Sequence, residues 1–120
     1  MEEKFRLTNS YLVILNAVSL LREEGYETSA KGLGDILSGT HRDPLAQRFD
    51  CFGHYAKLGR RSFLSRIRLL ERYGYLRYRY EPEIDDYILL LTELGQSKVK
   101  PIRWHKHRQN STNIIKIKEK

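Results

Sequence analysis

The chain has a single cysteine, Cys51. One thiol excludes an internal disulfide and any multi-cysteine zinc knuckle, and it fits a reducing, cytoplasmic setting. No apolar run approaches the roughly 18 residues that a membrane-spanning helix needs. The acidic opening Met1-Glu2-Glu3-Lys4 is unlike a signal peptide. No membrane association is expected. Nucleophilic chemistry lacks its parts, since no Ser/His/Asp, Cys/His or paired-carboxylate arrangement stands out and no glycine loop could cradle a phosphate. Cys51 and His54 have the spacing of two metal ligands, but the other two are missing, and His41, His105 and His107 are scattered. The expectation is a protein that is not an enzyme and holds neither metal nor cofactor.

What remains is an ordinary globular composition, 40% hydrophobic and 31% charged over 120 residues. That is enough for one domain with a modest core. The net charge of +7 is unevenly spread. Residues 1–27 carry 3 basic and 5 acidic groups, and residues 28–80 carry 11 and 4. Residues 81–95 hold 5 acids and no base, whereas residues 96–120 hold 8 bases and 1 acid. Charge clustered in this way points to a polyanion, while a merely solubilising surface intersperses its signs.

Along the chain, Thr8 or Asn9 can cap a first helix carrying Tyr11, Leu12, Ile14, Leu15, Val18 and Leu21, closed by Arg22-Glu23-Glu24-Gly25. It reads as core scaffold. Thr28 or Ser29 can cap a second helix through Leu33, Ile36 and Leu37 that stops at Gly39. Gly32 and Gly34 inside it cost up to about 1 kcal/mol each relative to Ala, so another backbone is expected to pack close there. A long connection from Thr40 to Leu58 follows, tacked to the core by Leu45, Phe49, Phe52 and Tyr55. A loop of this length in a small domain is functional or partly helical.

Lys57–Tyr80 organises the rest. Phe63, Leu64, Ile67 and Leu70 recur at helical spacing and mark a buried side. Arg61, Ser65, Arg68 and Arg72 form a second stripe, basic and small, facing away from it. Gly74 ends the helix, and residues 75–80 alternate like a strand with one wet face. Glu81–Asp86 is a turn, residues 87–92 return as a second strand, and Thr92-Glu93-Leu94-Gly95 closes with a turn of helix. From Lys98 the chain is basic and polar, with Trp104, His105, Lys106, His107 and Arg108, an appendage ordered only if something holds it. The expected fold is α+β: a winged helix-turn-helix of three helices and a two-stranded β-hairpin wing in residues 1–97, plus a basic C-terminal tail in residues 98–120. Such a fold lays its third helix against a nucleic-acid duplex.

The order helix, helix, long loop, helix, hairpin resembles one winged-helix family in particular, the RecQ C-terminal or RQC domain. Leu33-Gly34-Asp35-Ile36-Leu37-Ser38-Gly39-Thr40 is similar to that family's "iLrGs" end of the second helix, and Phe52-Gly53 to its "yG". Ser62, Ile67-Arg68-Leu69-Leu70, Gly74-Tyr75-Leu76, Leu89-Leu90-Leu91-Thr92 and Gly95 follow its third-helix and hairpin pattern. The resemblance spans roughly residues 10–95 and implies a DNA-binding module for duplex ends or junctions, normally joined to a helicase. The chain departs from the family in lacking the motor and the four-cysteine zinc subdomain, and in having Ser38 where the family has arginine. The resemblance therefore implies a stand-alone member that does not unwind DNA with ATP by itself.

The candidate DNA-binding residues are Lys57, Arg60, Arg61, Ser62, Ser65, Arg68 and Arg72, with Arg66 beside them, then Arg77 and Tyr78 on the wing. A solvated helix face would carry acids at i±3 or i±4, and Glu71 is the only one. Ser38, Gly39 and Thr40 either present N–H groups and hydroxyls to a phosphate or simply cap the second helix. Tyr78 and Tyr80 either stack on a base or belong to the core. Glu81, Glu83, Asp85 and Asp86 set like charge against a duplex, so the wing tip suits a protein partner or a neighbouring copy's basic tail. Two alternatives to a DNA binder stay open: a protein-interaction module, and a dimeric winged-helix transcription regulator. Monomer and dimer are both compatible with the sequence.

Overall fold

The computed structural model describes residues 5–105. Four helices are formed there: α1 (Asn9–Glu23), α2 (Ala30–Ser38), α3 (Arg60–Arg72) and α4 (Glu93–Ser97). Strands β1 (Leu76–Glu81) and β2 (Asp86–Leu91) pair antiparallel, Leu76 opposite Leu91 and Glu81 opposite Asp86. The arrangement is α+β, compatible with a winged helix. No helix among the described residues is long and apolar enough to cross a membrane.

Helix α1 is the axis of the core. Val13 through Ser19 and Leu21 are all buried, so α1 is covered on nearly every side rather than along one stripe. Leu33, Ile36 and Leu37 of α2, Phe63, Ile67 and Leu70 of α3, and Leu76, Leu89 and Leu91 of the hairpin join its apolar residues in one cluster.

The three longer helices end in the same way. Gly25, Gly39 and Gly74 take left-handed backbones with φ of 72°, 81° and 87°. In each case the glycine N–H and the next N–H reach back to helix carbonyls: Gly25 to Arg22 and Tyr26 to Leu21, Gly39 to Ile36 and Thr40 to Asp35, Gly74 to Glu71 and Tyr75 to Leu70. These are Schellman closures, which need a residue free to adopt positive φ. At the other ends, Ser29 caps α2 by accepting the Gly32 N–H at 3.1 Å, and Thr92 caps α4 by accepting the Gly95 N–H at 3.0 Å.

The connection from Thr40 to Leu58 contains one 3-10 turn, Ala46–Arg48, and is pinned to the end of α2. Gly53 donates to the Ile36 carbonyl and Tyr55 to the Leu37 carbonyl, both at 2.8 Å. Ala46, Phe49, Cys51 and Phe52 are buried. Leu45 is not a tack, being 51% exposed. The close backbone approach expected at Gly32 and Gly34 occurs elsewhere. A Cβ on Gly34 would meet the Phe63 ring and one on Gly32 the Thr28 side chain, whereas at Gly39 the neighbour is the Gly53 backbone, 3.3 Å away.

The strands begin and end one residue from their expected positions, β1 a residue later and β2 a residue earlier. Asp85, at φ 52°, shapes the turn between them. On its outer side β2 is tied to the α1–α2 connection, where the Leu89 N–H donates to the Thr28 carbonyl at 2.9 Å. The first residues after α4 are held as well. Val99 and Trp104 pack on the core, and the Lys100 N–H donates to Oδ1 of the buried Asn16 at 3.1 Å. Residues 98–105 are thus a strap across α1 rather than a loose appendage. The rest of the proposed tail, including Lys106, His107 and Arg108, lies outside the described residues.

Candidate nucleic-acid interface

Helix α3 divides cleanly into two sides. Phe63, Ile67 and Leu70 are buried, and Leu64 is half-buried. Arg61, Ser62, Ser65, Arg68 and Arg72 are all exposed. Arg61 to Arg72 spans about 16 Å of helix at 1.5 Å per residue. Arg61, Arg68 and Arg72 form no ion pair among the described residues. Exposed guanidinium groups in a row, without an ion pair among the described residues, suit bidentate contact with phosphate oxygens.

The cations around this row differ in how they are tied. Arg60 lies 3.6 Å from Asp35 of α2. Arg66 leans the other way, donating from Nε to the Ser10 hydroxyl at 3.0 Å and from Nη1 to the Ser62 carbonyl at 3.1 Å, with its guanidinium 6.0 Å from the Tyr11 ring centre. It fastens α3 to α1. Lys57 is exposed just ahead of the helix, and Gly59 at the N-cap offers no capping side chain.

Ser38, Gly39 and Thr40 sit beside this corner with their N–H groups committed. The Gly39 and Thr40 N–H groups close α2, and the Ser38 hydroxyl lies 2.9 Å from that of Thr40 and 3.2 Å from the Asp35 carbonyl. The capping alternative is the one the geometry fits, leaving only the hydroxyls to face outward. Lys31 was missed from the sequence. It lines the same hollow between α2 and α3 as Asp35, Ser38, Thr40 and Arg60. Its place four residues before Asp35 would have put it on that face.

The wing residues separate by strand alternation. Tyr78 shares a sheet face with Leu76 and points toward α3, half-buried; burial raises its hydroxyl pKa, Glu71 adds to the rise and Arg68 opposes it. Arg77 is on the opposite face. It lines a hollow with Arg22, Glu27 and Arg79 at the end of α1, so the structure does not bring it to the α3 row. Arg79 there is paired with Glu27 at 3.1 Å and Glu81 at 3.2 Å. Tyr80 is exposed, with its hydroxyl hydrogen-bonded to Asp85.

Cys51 is fully buried, and no group of three or more His, Cys, Asp and Glu among the described residues is placed to hold a metal. No family model, curated protein or solved structure was found to match the chain.

Proposed function

We propose that the chain is a cytoplasmic, RQC-type winged-helix DNA-binding module that grips duplex or branched DNA chiefly through phosphates. The observation that carries this reading is the division of α3: Arg61, Arg68 and Arg72 exposed and without ion pairs among the described residues, directly behind a buried Phe63, Ile67 and Leu70. Most exposed helices of small domains answer their cations with acids three or four residues away. On this helix Glu71, three residues after Arg68, is the one acid so placed beside the row, and it forms no ion pair with it. Lys57, Arg60, Lys31 and the Ser38 and Thr40 hydroxyls extend the same surface toward α2. Backbone-directed contacts of this kind give affinity without much sequence choice.

The test is a titration of blunt duplex, forked and single-stranded DNA at two salt concentrations. If four to six phosphates are neutralised, log K falls against log salt with a slope of about −4 to −5. Absence of binding at low salt, or a flat salt response, rejects the reading.

A second reading has its own observation. Tyr80, Ile84 and Tyr87 are all exposed at the wing, among Glu81, Glu83, Asp85 and Asp86. An acidic tip with apolar side chains suits a basic protein partner, and a protein-interaction module would bind through it with no dependence on Arg61 or Arg68.

A further inference from the structure

The far end of the strap is fastened by a side chain that can change charge. The His105 N–H donates to Nδ1 of His54 at 2.9 Å. The two imidazoles stack, with centres 5.6 Å apart and planes 26° apart, and Trp104 meets the His54 ring edge-on at 5.1 Å. Tyr55 flanks the same ring at 5.0 Å. His54 itself is positioned by its N–H to the Cys51 carbonyl, within the loop that closes on α2.

We propose that His54 is a proton-operated latch for the strap 98–105, holding the strap's end when neutral and releasing it when charged. An imidazole nitrogen that accepts a hydrogen bond carries no proton, and in imidazolium both nitrogens are donors. Charging His54 therefore sets an N–H against the His105 N–H and places a cation beneath a second imidazole. The groups facing it favour the neutral state. Tyr55 and Lys57 come from its own loop, His105 comes from the strap, and no carboxylate among the described residues lines the crevice. Burial, then the charge of His105, hold the His54 pKa below the ordinary histidine value. The latch is closed near neutral pH and opens as pH falls through that lowered value.

The anchor at the other end of the strap does not titrate, because Asn16 Oδ1 holds the Lys100 N–H at any pH. Opening thus frees Trp104 and His105 while residue 100 stays fixed. Beyond His105 the sequence carries Lys106, Arg108, Lys116, Lys118 and Lys120 against Glu119 alone. The latch holds His105, the last described residue, beside Lys57 and Leu58. It stands on contacts independent of the DNA reading.

Trp104 is the only tryptophan, so its emission reports the strap directly. Full-length protein is titrated from pH 8 to 5, following Trp104 emission together with the His54 ring and His105 amide by NMR. The expected result is one transition with its midpoint below about 6.5, a red shift of emission, and loss of His105 amide protection in step with His54 protonation. In His54→Asn the Oδ1 supplies the acceptor without titrating, and the transition disappears. In His54→Leu the acceptor is gone, and emission at pH 8 matches that of the parent at pH 5. A transition that persists in His54→Asn, a midpoint above the ordinary histidine value, or a His54 that protonates in the parent protein without moving the His105 amide overturns the proposal.

Discussion

Gly95 of α4 lies so close to the Tyr75 carbonyl oxygen that a Cβ there would overlap it, and that oxygen also accepts the Thr92 N–H at 3.2 Å. The Thr92 hydroxyl, in turn, donates to the Gly74 carbonyl at 2.5 Å. The hairpin's two ends are thereby clamped where α3 stops and α4 starts. Gly95→Ala must push backbone from backbone, at a cost of about 1–3 kcal/mol, as overpacking does. Gly59→Ser, at a site with open space and an extended N-cap backbone, should shift stability by only a few tenths of a kcal/mol. Thermal melts of the two variants check it.

The two sides of α3 should respond oppositely. Arg61→Ala with Arg68→Ala should change stability by no more than about 0.5 kcal/mol each. The pair should weaken DNA binding for all sequences and make the salt slope shallower by about one for each phosphate no longer neutralised. Ile67→Ala should cost about 2–5 kcal/mol of stability through transfer and cavity terms. An arginine pair that unfolds the protein would mean the faces are assigned backwards.

Asp35 of α2 offsets Arg60 at 3.6 Å. Arg60 is exposed and Asp35 half-buried, and a pair so open to solvent is worth at most about 1 kcal/mol. Asp35→Asn should therefore leave the melting temperature almost unchanged and raise duplex affinity about two- to fivefold at low salt. The gain should vanish as salt screens it. Unchanged affinity at low salt would place Arg60 outside the interface.

Neutralising the wing tip tests whether it meets DNA. Glu81→Gln, Glu83→Gln, Asp85→Asn and Asp86→Asn keep the side-chain shapes, and asparagine tolerates the positive φ of residue 85. Duplex affinity should stay level or rise. A clear fall in a folded variant would show that the tip makes productive contacts.

Tyr26 and Asp43 supply a test in acid. The Tyr26 hydroxyl donates to Asp43 Oδ2 at 2.7 Å. Its own pKa is pushed up to about 12, by burial first and then by that bond. The Asp43 carboxyl is held below its ordinary value, chiefly by the Tyr26 hydroxyl and next by the Leu45 N–H. A lowered carboxylate stabilises the fold above its unfolded pKa of about 3.9 and loses that contribution as pH falls through the folded value. Tyr26→Phe should therefore melt below the parent at pH 6, with the gap narrowing below about pH 4.

Helices and hairpin were legible in the sequence because their signals are local. The glycines at 25, 39 and 74, the cap candidates Thr28 and Ser29, and the apolar spacing of α3 each state a boundary or a face without help from distant residues. What was not legible depends on who arrives next door. Leu45 is apolar yet exposed, while Ala46 and Phe49 nearby are buried. Arg77 resembles its neighbours in sequence, but a strand turns alternate residues to opposite faces. His54 and His105 are 51 positions apart, and no spacing rule connects them. The same limit hid the role of Asn16, whose partner comes from residue 100.

The hydrogen bond from Leu89 to Thr28 ties β2 to the connection between α1 and α2, while β1 pairs with β2 along its length. The last strand among the described residues thus touches α1, α2 and β1, all made before it. While a nascent chain is still short of β2, β1 has no partner strand and Leu89 and Leu91 are missing from the core. The domain's closure waits until β2 has been made, and a chain cut before Leu91 should be handled in the cell as unfolded.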